Sequence, residues 1–94
     1  MKMFAVHPGQ GLRLEMDARN LSANALALAL RVPSGRITDI LAGKRAITPE
    51  TALRLGRYFG TGPELWLNLQ SAYDLAKTEK EIGAKVQDEV KPAA

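Results

Sequence analysis

Basic side chains are concentrated in one segment of the chain, between positions 31 and 57. Only Asp39 and Glu50 oppose them there, and the basic residues are Arg31, Arg36, Lys44, Arg45, Arg54 and Arg57. Positive charge gathered in this way is typical of a surface that contacts nucleic-acid phosphates. A solvated helical surface would carry the same charges, and the net charge of +3 is too small to decide between the two interpretations.

Residues suited to catalysis or metal binding do not occur in a useful arrangement. The chain has no cysteine, and its single histidine, His7, has no obvious carboxylate partner nearby in the sequence. Asp88 and Glu89 are adjacent, but they lie in a polar tail outside any plausible pocket. Phosphate-binding glycine loops and calcium-loop spacing are missing. We therefore expect no enzyme activity, no cofactor and no metal site, and we expect His7 to fix the start of the first helix.

The hydrophobic content predicts one folded, helical domain. Apolar residues make up 46% of the 94 residues and aromatic residues only 5%, so Leu, Ile, Val and Ala must build the core, which favours helices over strands. No apolar run approaches the roughly 20 residues of a membrane span, and the N-terminus lacks a signal-peptide core. This pattern predicts a cytoplasmic protein that does not contact a membrane.

Capping residues and apolar spacing predict the first three of five helices. The first runs from Pro8 to about Asp17, the second is capped by Ser22, and the third is capped by Ser34 and ends at Gly43. Residues three or four apart mark their inner faces. These are Leu12 and Met16, then Leu26, Ala29 and Leu30, then Ile37, Ile40 and Leu41.

Two further helices follow, with clear starting signals. Thr48 and Pro49 begin the fourth, which Gly60 ends, and Thr61 and Glu64 have capping-box spacing at the start of the fifth. The residues at helical spacing are Ala52, Leu55 and Phe59, then Leu65, Trp66, Leu69, Ala72, Tyr73 and Ala76.

Helices 2 and 3 are short and are joined by a turn of only a few residues. This is the arrangement of a helix-turn-helix, whose second helix lies in the major groove of DNA while neighbouring basic residues contact the backbone. The residues themselves therefore predict sequence-specific DNA binding.

The fifth helix has a wider apolar face than the last helix of a small bundle needs. We expect part of it to cover the core and the rest to pack against a second copy, in a homodimer interface of Leu65, Trp66, Leu69 and Tyr73. Burial of the whole face within one chain is the alternative.

We assign residues 1–80 to the DNA-binding domain and residues 81–94 to a charged, partly frayed extension. The charged tail either continues helix 5 into solvent or contacts a protein partner.

Three segments resemble the HigA-type antitoxins, which are helix-turn-helix proteins of the phage-repressor-like (XRE) class. The segments are HPGQGLRLEM, RVPSGRITDILAGKRAIT and ALRLGRYFGTGPELWLNLQSAYDL, within about residues 6–75. The resemblance implies an all-α, five-helix, lambda-repressor-like domain with a C-terminal helical extension. It also implies an antitoxin of a type II toxin–antitoxin system that represses its own operon as a dimer and binds a RelE-like ribonuclease toxin of the HigB type.

The same resemblance places the DNA-binding surface at the start of helix 2, on the outer face of helix 3 and in the turn after it. Those positions are Ser22, Ala23, Ser34, Gly35, Arg36, Thr38, Asp39, Lys44 and Arg45. Two residues depart from the family pattern. Arg31 stands where a small residue is usual and costs about 1 kcal/mol or more if that position needs a positive φ. Gly35 has no side chain for base contact, so specificity falls on its neighbours or on DNA shape.

Individual roles follow from side-chain chemistry. Arg36 can pair with guanine or contact a phosphate. Asp39 either accepts from a cytosine amino group or holds Arg36, three residues away on the same helix, and we favour the second. Lys44 and Arg45 follow helix 3 and are expected to contact phosphates, although complementarity to the helix dipole also explains them.

Two other functions stay open. A free-standing repressor of the phage or restriction-controller type would have the same helix-turn-helix and no toxin, but residues 66–75 favour the antitoxin. A protein-binding inhibitor that no longer binds DNA is compatible with Ala23 and Gly35. The basic turn, which carries Lys44 and Arg45, argues against it.

Overall fold

The computed structural model describes residues 6–93, which form five helices and, within that range, no strand. They are α1 (Pro8–Ala18), α2 (Ala23–Leu30), α3 (Ser34–Leu41), α4 (Pro49–Phe59) and α5 (Pro63–Glu89). The predicted all-α, five-helix fold is confirmed. Residues 1–5 and 94, at the outer ends of the two predicted units, lie outside the described residues.

Two of the predicted side-chain caps are present. The Ser22 hydroxyl accepts a hydrogen bond from the Ala25 N–H at 3.1 Å, at the start of α2. The Thr48 hydroxyl accepts from the Thr51 N–H at 3.4 Å, at the start of α4. Each hydroxyl satisfies a backbone donor that has no partner inside its own helix, so these helix starts could be predicted from local sequence.

His7 caps α1 and has the structural role that was expected of it. Its Nδ1 atom accepts from the Gly9 N–H at 2.9 Å, and its ring meets the Tyr73 ring edge-on with 4.9 Å between centroids. The cap therefore also attaches the start of α1 to α5.

Two other predicted caps are wrong. Pro33 is the N-cap of α3, and Ser34 is already the first helical residue, with no side-chain cap bond. Gly62 is the N-cap of α5, with φ +80°. No side chain caps the start of that helix, and the Thr61 hydroxyl donates to the Gly62 carbonyl at 2.8 Å and accepts from the Trp66 indole N–H at 3.0 Å.

The core lies between the inner faces of all five helices. Ile37 and Ile40 of α3 have no exposed surface, and Leu41 is half-buried. On α2 the prediction for Ala29 is wrong, because the inner face runs through Ala27 and leaves Ala29 exposed. Other core residues include Leu12, Met16, Leu26, Leu30, Ile47, Ala52, Leu55 and Trp66.

Trp66 is a core residue and not part of a dimer interface, which corrects that prediction. It is 1% exposed in the single chain and packs against the Phe59 ring, with 5.8 Å between centroids. It has no surface left for a second copy. Of the other residues predicted for that interface, Leu69 and Tyr73 are half-buried and Leu65 is 41% exposed.

Helix α5 extends well beyond the core. It continues without a break past residue 80 to Glu89, and the molecule measures 52 × 23 × 23 Å. From Lys77 to the last described residue, every residue is exposed except Gly83, which is half-buried. The exposed apolar residues in this part are Leu75, Ile82, Val86 and Val90.

Gly9 allows α1 and α3 to approach each other closely. A Cβ atom at this position would overlap the carbonyl oxygen of Ile40. Gly35 is also helical, but a Cβ atom there would meet no other atom within 4 Å. The two glycines therefore separate the effect of the close approach from the effect of helix propensity.

We expect Gly9→Ala to lower the free energy of unfolding by about 1–3 kcal/mol, because the added methyl group forces the two backbones apart. Gly35→Ala should raise it by roughly 0.5–1 kcal/mol, because alanine favours the helix. Urea denaturation followed by circular dichroism, at one protein concentration, measures both. A Gly9→Ala variant as stable as the parent would contradict the close approach.

Candidate DNA-binding surface

Five of the nine residues predicted to meet DNA lie on the outer face of α3. Ser34, Gly35 and Thr38 are exposed, and Arg36 and Asp39 are half-buried. The Thr38 hydroxyl donates to the Gly35 carbonyl at 3.2 Å. Its proton is therefore occupied, and towards a partner it presents its oxygen lone pairs and its methyl group.

The turn after α3 extends this face with two basic residues. Gly43 has φ +75°, and the Lys44 N–H donates to the Asp39 carbonyl at 2.8 Å, so α3 ends where predicted. Lys44 and Arg45 are exposed. Arg45 Nη2 lies 3.8 Å from Asp39 Oδ2, which connects the turn to the outer face of α3.

Arg36 pairs with Glu50 of α4, and the predicted pair with Asp39 is wrong. Arg36 Nη1 lies 3.2 Å from Glu50 Oε1, and 24% of the Arg36 side chain is exposed. Asp39 is instead close to Arg45. A hydrogen bond from Arg54 and the positive charge of Arg36 hold the pKa of the Glu50 carboxyl below its usual value, so this group is ionised at neutral pH.

Ser22 and Ala23 lie at the start of α2, as predicted. Ser22 is exposed, while Ala23 is half-buried against the core. Among residues 6–93, no hydrogen bond connects these two residues to the outer face of α3. Their position suits contact with a phosphate, because the first N–H groups of a helix point along its axis, away from the helix, where an anion can bind.

Arg31 ends α2 in the left-handed conformation, with φ +62° and ψ +44°. Because φ is positive at this position, the arginine costs about 1 kcal/mol relative to glycine. It is exposed and makes no ion pair within the described part of the chain.

Gln70, which was not among the residues predicted from the sequence, attaches the turn after α3 to α5. Its Oε1 accepts from the Ile47 N–H at 2.7 Å in a buried hydrogen bond, and its Nε2 donates to Asp74 Oδ1 at 3.0 Å. The signal was available: Gln70 is a polar residue four positions after Trp66, on the inner face of the helix. A buried polar side chain needs a partner, here the backbone next to Lys44 and Arg45.

Neither a metal-binding cluster nor a membrane-spanning helix occurs among the described residues. Within residues 6–93, no group of three or more His, Cys, Asp or Glu side chains could hold a metal ion. No described helix is both long and apolar enough to cross a membrane.

Comparison with known proteins identifies the class first. The helix-turn-helix family model matches residues 12–66, more than half of the chain, so the chain belongs to the helix-turn-helix family. Virulence-associated protein I of Dichelobacter nodosus is 51% identical over 85% of this chain and 75% of its own length.

Two solved structures show which group of helix-turn-helix proteins this chain resembles. A HigA-family addiction module antidote protein from Coxiella burnetii has a TM-score of 0.93 at 49% identity, covering 97% of this chain and all of its own. The Pseudomonas aeruginosa antitoxin HigA, solved with the higBA promoter, has a TM-score of 0.92 at 39% identity, with 97% and 100% covered. The chain belongs to the HigA family, and the fold and family predictions are confirmed. None of these proteins is named as an enzyme.

We expect Gln70→Ala to lower the free energy of unfolding by about 1–3 kcal/mol, because it leaves the buried Ile47 N–H without a partner. Asp74→Ala is the control, since it removes only the partner at the exposed end of the same side chain. Its effect should be clearly smaller. Equal losses in urea denaturation would show that the bond to Ile47 does not anchor the turn.

Proposed function

We propose that this protein is an antitoxin that represses its own operon and neutralises a RelE-like ribonuclease toxin by direct binding. Repression acts through operator DNA, with the outer face of α3 in the major groove and the turn at Lys44 and Arg45 on the backbone. The protein then acts in the cytoplasm, where the operator lies.

The observation that carries the DNA-binding part is the division of α3 into two faces. Ile37 and Ile40 are fully buried, whereas Ser34, Thr38 and the following basic turn are exposed. A helix supported in this way can enter the major groove without losing core contacts. The homologue from P. aeruginosa was solved with promoter DNA, which supports the same use of the fold here.

We propose a homodimer as the DNA-binding form, with the interface on the protruding part of α5. Trp66 is not available, but Leu75, Ile82 and Val86 are 57%, 45% and 44% exposed and recur at helical spacing. A second copy is the occupant we favour, because a two-fold protein can read two half-sites about 34 Å apart. Lysine and acidic residues of this segment, such as Lys80, Lys85, Glu81 and Asp88, could then form ion pairs between the copies.

Toxin neutralisation is tested in cells. Expression of the product of a small reading frame next to this gene should stop growth, and co-expression of this protein should restore it. The two proteins should also purify as one complex. If no neighbouring product is toxic or binds, the toxin-binding part of the proposal fails, and a protein that still binds its promoter is a free-standing repressor.

Arg36→Ala should weaken binding to a promoter duplex roughly tenfold or more, because a bidentate pair with guanine is lost, and should affect a scrambled duplex much less. Lys44→Ala is the control for a phosphate contact. It should weaken binding to both duplexes equally. The slope of log affinity against log salt concentration should become smaller by about 1. Equal losses on both duplexes for Arg36→Ala would make Arg36 a phosphate contact instead.

Ile82→Glu should shift the protein from dimer to monomer, because it places a charge within the apolar stripe of α5. Ala84→Glu adds the same charge on the opposite side of the helix and should leave the dimer intact. Sedimentation at micromolar concentration measures both masses. A parent protein that is monomeric under these conditions would overturn the interface.

A further inference from the structure

A series of hydrogen bonds connects the end of α2 with α4 and with the first turn of α3. The Leu30 carbonyl accepts from Arg54 Nη1 at 2.9 Å. Arg54 Nε and Nη2 donate to Glu50 Oε2 at 3.3 and 3.2 Å. The other carboxylate oxygen, Glu50 Oε1, accepts from Arg36 Nη1 at 3.2 Å. Arg36 is thus held by a residue outside the helix-turn-helix pair.

Glu50 is bound by Arg54 as well as by Arg36. Arg54 approaches one of its oxygens with two nitrogen atoms and is itself attached to backbone at Leu30. Because both nitrogen atoms bind the same oxygen, Arg54 restricts the position of Glu50 Oε2. The second oxygen, Oε1, makes no bond to Arg54 and accepts from Arg36 instead.

The two ion pairs of Glu50 orient side chains more than they stabilise the fold. The side chains of Glu50 and Arg54 are 58% and 39% exposed, and exposed ion pairs contribute little to the free energy of unfolding. Contact through Nη1 leaves Nε and Nη2 of Arg36 without another hydrogen bond among the described residues. Two adjacent donors are what a bidentate pair with guanine requires.

We propose that Glu50 is a positioning residue that sets base specificity through Arg36. It presents the free Nε/Nη2 edge of Arg36 to the base, and its negative charge disfavours use of the same guanidinium as a general phosphate contact. This inference rests on the proposed function, in which Arg36 reads a base.

The test compares Glu50→Ala with the parent protein by titrating the promoter duplex and a scrambled duplex at one salt concentration. The ratio of the two affinities should fall about fivefold or more, because Arg36 loses its orientation. Affinity for the scrambled duplex should stay equal or rise, because a negative charge is removed. Glu15→Ala is the control, since Glu15 pairs with Arg19 on α1 and its removal changes the charge equally. It should leave the ratio unchanged.

The conservative variant Glu50→Gln keeps one of the two acceptor oxygens. Its amide oxygen can accept from Arg36, but the NH2 group that replaces the other oxygen cannot accept from Arg54. The ratio for this variant should therefore lie between that of Glu50→Ala and that of the parent protein. An unchanged or higher ratio in Glu50→Ala would overturn the positioning role.

A double-mutant cycle tests whether Glu50 acts through Arg36. In an Arg36→Ala background, Glu50→Ala should cause no further loss of the ratio. The same loss in both backgrounds would overturn the inference while leaving base reading by Arg36 intact. If Arg36→Ala alone leaves the ratio unchanged, the base contact in the proposed function fails, and the inference fails with it.

Discussion

The structure depends on the burial of one face of α3. This helix has eight residues, too few to be stable alone in water, so its position comes from its contacts with the core. Ile37 and Ile40 are completely buried, and the backbone of α1 approaches Ile40 so closely at Gly9 that a side chain there would not fit. Because these contacts fix the position of the inner face, the outer face also has a fixed orientation.

Two polar contacts extend this rigidity to the residues around α3. Gln70 holds the backbone of the basic turn through Ile47, and Glu50 holds the side chain of Arg36. Both contacts join α3 or its turn to a later helix. A surface that is ordered before it binds loses less conformational entropy on binding, and we regard this as the way in which the fold prepares α3 and the turn for DNA.

Local features could be predicted from the sequence, whereas contacts between distant residues could not. The caps at Ser22 and Thr48 and the end of α3 at Gly43 depend on neighbouring residues only, and all three were predicted. The partner of Arg36 was predicted wrongly because helical spacing favours Asp39, whereas Glu50 is fourteen residues away. Helical spacing also placed Trp66 on an apolar face of α5 without showing which part of that face the core covers.

The outer face of α3 and the turn after it should bind DNA as one unit. The most direct measurement is a nuclear magnetic resonance titration of the isotope-labelled protein with a duplex from its own promoter. The largest amide shift changes should fall between Ser34 and Asp39 and between Gly43 and Arg45. Changes concentrated on α1 or on the protruding part of α5, with α3 unaffected, would contradict it.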